Sequence, residues 1–432
     1  MPMSEHSNES TIAAANVALA HVHSERLREA LAALAHFGAR ADGGVARQTL
    51  TEVDLQARRF LIDRARALGC TVEADACANL FFRRAGRTNQ PPVLTGSHAD
   101  TQPVGGKLDG AYGVMAGLEV IQALNDAGIQ TERPIEVVAW TNEEGSRFGP
   151  GCMGSSAFVE PAKLDAYRQV LDGEKTSFGT ALDQALQAIP DVSRCALQRP
   201  MAAYVELHIE QGPVLERAGV PLGVVTGIQS VRWFRVKVTG VAAHAGTTPM
   251  DVRADAMAES IALAHRLMAE ARQHADRQLR LTLGRWVVAP NSINTIAGDV
   301  EFTVDMRCVD GELLARFAAT LQEMVASHAG RSRMVLEPVF ERAPTHFPSA
   351  MTALLEQACA SASARAGQPA PLQLTSGAFH DAMYLAGHCP SAMIFVPSKQ
   401  GISHNAAEET DHADLVLGVQ ALAHAVTRLA GA

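Results

Sequence analysis

The sequence predicts an α/β fold: a mostly parallel sheet covered by helices on both faces, interrupted by an inserted ferredoxin-like α+β domain. Three observations predict it. A chain of 432 residues exceeds the ~250–300 residues at which one hydrophobic core stops growing, so two domains are expected. Short apolar runs ending in polar clusters (PPVLTGSHADT, IEVVAWTNEEG, AAYVELHIEQG and PSAMIFVPSKQGISHN) alternate with helical stretches, the pattern of parallel strands joined by helical crossovers. Between about Thr226 and Thr345 the order becomes strand, helix, strand, strand, helix, strand, which is that of a split βαβ unit. The parallel-sheet texture then resumes, dividing the chain into residues 1–226, an insert of 227–345, and 346–432.

Each element has a local reason. Leu27, Leu31, Leu34, Leu55, Phe60, Leu61, Ala65 and Leu68 recur at helical spacing, so residues from about 12 to 70 read as helices leading into the first sheet. A strand ending near Thr95 is followed by GAYGVMAGLEVIQALNDAG, a helix that Gly128 stops. Ile135 to Trp140 is a buried strand. Within the insert, WFRVKVTG, LRLTLGRWVV, GDVEFTVDMRCV and MVLEPVFE read as strands, with helices from about Ala254 to Arg272 and Gly311 to Ser327. The breaks near Thr226 and Thr345 are candidate hinges.

Composition excludes several classes. A formal charge of −9 with no Lys/Arg run argues against a nucleic-acid surface. No apolar stretch approaches the ~18 residues that cross a bilayer, and the polar opening MPMSEHSNES is no secretory signal. Seven scattered cysteines without a C-x-x-C pair fit reduced thiols in a cytoplasm and no metal knuckle.

In sheets of this type ligands bind beyond the carboxyl ends of the strands, and all four polar clusters fall there. His98 and Asp100 follow one strand, Asp109 opens the next helix, Glu143 and Glu144 end a second strand, His208 a third, and His404 lies past a fourth. Imidazole and carboxylate suit zinc, manganese or cobalt. The H-x-D spacing makes Asp100 the partner that orients His98 through its other ring N–H. Two cations give the adjacent glutamates separate duties: Glu144 binds metal, and Glu143 stays free as general base and acid. An aspartate such as Asp109 serves as the bridge.

The motifs GSHADTQPVGGKLDGAYGV, TNEEGSRFGPGCMGS, ELHIEQGPVLE, GVAAHAGTTPMDVRADA, PNSINTIAGDVEFTVDMR, TSGAFHDAM and MIFVPSKQGISHNAAEET resemble the hydantoinase/carbamoylase group of the dinuclear-metal aminoacylase and carboxypeptidase family, from about His23 to Ala432. The resemblance implies a zinc-peptidase-like catalytic domain and an insert that acts as lid and dimerisation domain. It implies that His98 and His208 complete one metal shell and Glu144 and His404 the other, with Asp109 shared and Glu143 catalytic. It also implies that His244 polarises the scissile carbonyl, often from the other subunit of a homodimer. Gln211 and the turn Ser376-Gly377-Ala378 resemble substrate contacts. Arg307 carries a planar guanidinium suited to a carboxylate, and Asn294 resembles its partner there.

The expected activity is metal-dependent hydrolysis of the C–N bond of a small ureido carboxylate, first an N-carbamoyl-L-amino acid, giving amino acid, CO2 and NH3. The expected cofactors are two divalent ions per subunit, zinc first, with manganese, cobalt or nickel as alternatives. Allantoate or ureidoglycolate hydrolysis is the alternative activity, ahead of a dipeptidase or aminopeptidase. Phe379 stands where many relatives of this type have glycine, which reshapes the expected pocket.

Overall fold

The computed structural model describes residues 5–432. The chain divides into two compact units, one running to Thr226 and resuming over His346–Ala432, the other spanning Gly227–Thr345. In chain order the strands are β1 Thr71–Ala74, β2 Leu80–Arg84, β3 Val93–His98, β4 Ile135–Trp140, β5 Ser193–Arg194, β6 Ala203–Ile209, β7 Gly223–Ile228, β8 Ser230–Thr239, β9 Ala243–His244, β10 Arg280–Thr282, β11 Trp286–Ala289, β12 Thr295–Ile296, β13 Asp299–Cys308, β14 Arg333–Arg342, β15 Thr345–His346, β16 Leu372–Ser376 and β17 Ser391–Val396.

The first unit is built on a ten-stranded sheet in the order β15-β7-β17-β6-β3-β4-β2-β1-β5, with β16 also paired to β7. Its centre, β17-β6-β3-β4, is parallel, and antiparallel pairs flank it. Every residue of these four strands is buried, which is why they read as continuous apolar runs. Each fully buried valine, leucine or isoleucine there contributes about 1.5–3 kcal/mol. The polar residues among them are paired, as burial demands: Thr95 donates to Val205 O at 2.7 Å, and Glu136 takes Arg83 at 2.7 Å. Gly96 holds φ +129°, and a Cβ there would stand 2.1 Å from Val138 O, so only glycine allows β3 and β4 this approach.

Register aligns the strand ends. His98 pairs with Trp140, the last residue of β4, and His208 pairs with Phe395 of β17. The sequence reading ended the first strand near Thr95, whereas β3 runs to His98; the polar Ser97 is accommodated because Glu206 on the neighbouring strand accepts its hydroxyl at 2.7 Å.

The second unit is an antiparallel sheet in the order β10-β13-β8-β14, with β11 continuing along β13, the strand order of a ferredoxin-like βαββαβ unit. Its two helices, Ala256–Arg272 and Gly311–Ala326, start where Asp255 and Asp310 accept backbone N–H groups of their first turns. Phe234, Val236, Leu263, Leu267, Phe302 and Phe317 form its core. A two-stranded ribbon, β9 with β12, extends from it. Among the described residues no helix is long and apolar enough to cross a membrane.

Candidate metal centre

The carboxyl ends of the central strands of the first unit converge as that topology requires. His98 closes β3, the loop that follows β4 carries Glu143 and Glu144, and His208 is the penultimate residue of β6. Asp109 precedes helix Ala111–Asp126. Gly110 holds φ +62°, and a Cβ there would lie 2.3 Å from His98 Nε2, so the residue after Asp109 must lack a side chain. His404 comes from the loop after β17 and holds a left-handed φ of 53°. The loop is braced by Lys399 N–H to Glu409 O at 2.8 Å and by Thr410 Oγ1 to Pro397 O at 2.7 Å, which supports that conformation.

Ligand atoms of His98, Asp109 and His208 lie within 4.8 Å of one another, and so do those of Asp109, Glu144 and His404. Asp109 belongs to both groups. One oxygen, Oδ1, lies 3.2 Å from His208 Nε2 and 3.7 Å from His98 Nε2; the other, Oδ2, is 3.2 Å from His404 Nε2. Glu144 Oε2 is also 3.2 Å from His404 Nε2. Glu143 belongs to neither group. Its Oε2 is 3.5 Å from His98 Nε2 and its Oε1 is 3.3 Å from Cys152 Sγ.

Tautomers are set by main-chain acceptors. Nδ1 of His98 lies 3.0 Å from Asp100 O, and Nδ1 of His208 lies 2.9 Å from Ile209 O. A carbonyl only accepts, so both Nδ1 atoms carry hydrogen and Nε2 is the nitrogen each ring turns to the cluster. This corrects the expected role of Asp100: its carboxylate is 3.8 Å from His98 Nδ1, and its main-chain oxygen orients the ring instead. The carboxylate takes the N–H groups of Glu143 and Glu144, each at 3.3 Å, and thereby pins the turn that presents the paired glutamates.

The charges show what the cluster is suited to hold. Burial and then the neighbouring Asp109 push Glu144 up to about 8; burial and the carboxylates of Asp381, Glu144, Asp109 and Asp100 push Glu143 well above its usual range. Burial lowers His98 to about 4, leaving it in the neutral form that binds metal. Burial opposes charge on His208, yet the Asp109 carboxylate lifts it to about 9; the same carboxylate, against burial, lifts His404 to about 9. Buried carboxylates held this close are costly without compensating cations. Imidazole and carboxylate donors in two groups joined by one aspartate fit a pair of divalent ions.

Other predicted residues fall as follows. Gln211 donates from Nε2 to Asp109 Oδ2 at 2.8 Å, so it sits on the shared aspartate, although a substrate contact was expected of it. Ser376 has its hydroxyl on the main chain of Ala378 and 3.0 Å from His380 Nε2; Gly377 follows it. His244, Asn294 and Arg307 belong to the second unit. His244 pairs with Thr295 across the β9/β12 ribbon, and Ala245 N–H meets Asn294 O at 3.0 Å, so His244 and Asn294 are neighbours. Arg307 is hydrogen-bonded to Asp305 at 2.9 Å near the far end of β13. The eight residue steps from Asp299 to Arg307 span roughly 25 Å. Asn294 precedes the start of that strand, and Arg307 stands near its end.

Several residues escaped the sequence reading. Glu408 accepts the N–H groups of Leu108 and Asp109 at 2.9 and 3.0 Å and the Ser403 hydroxyl at 2.9 Å, fixing the shared aspartate from about 300 positions away. It stood inside the quoted GISHNAAEET motif, its only signal. Glu206, His208 and His380 form a third ligand-capable group, but Glu206 already accepts from Ser97 and from Ala382 N–H at 2.9 Å. It forms a buried polar layer behind the ligands.

Comparison with known proteins adds the following. Residues 94–428 match the model of peptidase family M20/M25/M40. The chain is 38% identical over 415 residues to the N-carbamoyl-L-amino acid amidohydrolase of Geobacillus stearothermophilus, covering 95% of this chain and 99% of that one. It is 34% identical to the allantoate amidohydrolase of Bacillus subtilis, over 92% and 95% of the two chains. A solved hydantoinase/carbamoylase family amidase from Burkholderia vietnamiensis superposes with a TM-score of 0.85 at 42% identity, over 95% and 98% of the chains.

Proposed function

The chain belongs to the peptidase family M20/M25/M40, and from that premise we propose that it is an amidohydrolase cleaving the non-peptide C–N bond of an N-carbamoyl-L-amino acid. The observation that carries the proposal is Asp109, shared by two three-ligand groups, with Glu143 uncommitted beside them. Names among the relatives support the substrate class. Allantoate is the alternative substrate, because allantoate amidohydrolases stand among relatives of similar identity.

His98, Asp109 and His208 would hold one divalent ion and Asp109, Glu144 and His404 the other. Zinc is our first assignment, with manganese, cobalt or nickel able to use the same donors. When bound, such ions polarise the ureido carbonyl and acidify a water molecule. The chain's own groups do the rest. Glu143 takes the water's proton at Oε2, the oxygen facing His98, and returns it to the departing nitrogen. Asp100 keeps Glu143 in place through its N–H. Arg307 offers the substrate carboxylate a two-point grip, Asn294 supports that grip, Ser376 and Gly377 line the substrate, and His244 stabilises the developing oxyanion. Gln211 reaches the substrate region while tethered to Asp109.

We also propose a homodimer formed through the inserted domain, in which the partner copy supplies His244 to the site. Seven free cysteines fit a cytoplasmic location.

The test is ammonia release by metal-loaded protein from N-carbamoyl-L-amino acids, allantoate and ureidoglycolate, with dipeptides as controls. The proposal expects the highest kcat/KM on N-carbamoyl-L-amino acids. Faster turnover of allantoate would establish the alternative, and cleavage of dipeptides alone would remove the ureido reading.

A further inference from the structure

Glu143 has two carboxylate oxygens, and the reaction proposed above uses one. The neighbouring thiol distinguishes them. Cys152 Sγ lies 3.3 Å from Oε1, while Oε2 faces His98 Nε2 at 3.5 Å. In the ionised form in which Glu143 acts as a base, neither oxygen carries hydrogen, so the thiol donates. Among the described residues no other cysteine donates to a carboxylate: Cys77 and Cys308 face main-chain carbonyls and Cys389 faces Ser391.

The contact is built into the backbone. Cys152 adopts a left-handed φ of 53° and ψ of 31° and gives helix Met153–Val159 no side-chain cap. That conformation costs a residue with a Cβ about 1–2 kcal/mol. Its N–H goes to Glu143 O at 2.8 Å, so main chain and side chain both tie it to Glu143. The preceding Gly151 lets the strands of this loop close up, since a Cβ there would stand 2.3 Å from Glu143 O. One turn on, Ser155 Oγ reaches Cys152 O at 3.4 Å and donates to the fully buried Asp381. The thiol is therefore held on a braced turn. Burial and the carboxylates of Glu143 and Asp381 keep it well above its usual pKa, so it remains S–H and acts as a donor.

We propose that Cys152 is a positioning residue for the general base: its thiol occupies Glu143 Oε1, so that Oε2 alone is presented to the water and the leaving nitrogen. This rests on reading Glu143 as that base, and the experiment separates the two. Wild type, Cys152→Ala and Cys152→Ser are loaded with zinc and compared for metal content, kcat and KM on an N-carbamoyl-L-amino acid. A charge-assisted hydrogen bond is at stake. Cys152→Ala should lose about tenfold in kcat with KM and metal content unchanged, and Cys152→Ser, which keeps a donor, should stay within about threefold of wild type. The infrared S–H stretch, isolated as wild type minus Cys152→Ser, should lie at low frequency and rise in a Glu143→Gln background, where a weaker neutral acceptor replaces the carboxylate.

Wild-type kcat in Cys152→Ala, equal losses in Ala and Ser variants, or an S–H band indifferent to Glu143→Gln would each overturn the assignment. Should Cys152→Ala fail to fold, the Ser variant and the infrared band decide. A wild type that releases ammonia from no ureido substrate would instead sink the functional reading and leave the infrared result to judge the contact.

Discussion

Replacing Glu143 by glutamine is the sharpest perturbation the site offers, because it changes one proton-accepting group and little shape. Glu143 stands outside both ligand groups, so the variant should keep its full metal complement. Its loss is that of a general base, worth about 10²–10⁴-fold in kcat, or roughly 2.7–5.5 kcal/mol of barrier. KM should change little, since the role is exercised only in the transition state. The structure adds a second expectation. Glu143 is buried among Asp381, Glu144, Asp109 and Asp100, which together with burial drive it toward the protonated form; a neutral amide there removes the cost of protonating it on folding and should raise the melting temperature of the metal-free protein. The assays are ammonia release under saturating substrate, metal analysis and thermal melts of chelated samples. Near-normal kcat with full metal content would refute the assignment, and so would a variant that loses turnover only because it has lost metal.

Other outcomes follow from neighbouring groups. His208 and His404 are lifted to about 9 without metal, so metal uptake near pH 7.5 should release protons and weaken as pH falls; calorimetry in buffers of different ionisation enthalpy reads the release, and its absence contradicts the ligand set. Asp100→Ala should cut metal affinity about 10–100-fold by freeing the N–H groups that pin both glutamates, and competition with a chromogenic chelator measures it; unchanged affinity would show the pinning to be idle. His424 is 3% exposed, and burial, then Arg428, lower it to about 4. A base depressed below its unfolded value near 6.5 contributes stability that is complete above about pH 6.5 and lost as pH falls through about 4, worth no more than about 3 kcal/mol. His424→Gln should therefore lose less unfolding free energy between pH 7 and 5 than wild type in urea titrations, and parallel losses would exclude the effect.

The central strands were legible because both faces are covered and the runs stay apolar to their ends, as in Ile135 to Trp140. The insert was legible because its periods switch in a recognisable order. Residue types that bind metal, falling at strand ends, revealed His98, Asp109, Glu144, His208 and His404 as a set. What stayed hidden depends on which atom faces which. Asp100 orients His98 with its main-chain oxygen and the glutamates with its carboxylate, a division that spacing does not encode. Glu408 supports Asp109 across the sequence, and Cys152 is one of seven scattered thiols until its partner is seen.

The account depends most on Asp109 serving two cations at once, and the direct measurement is metal stoichiometry by mass spectrometry after saturation and gel filtration. Wild type should carry two divalent ions per chain, matching its two ligand groups. His404→Ala should retain one, and Asp109→Ala should retain almost none. An Asp109→Ala protein that still holds two ions, or a saturated wild type that holds one, would contradict the dinuclear centre.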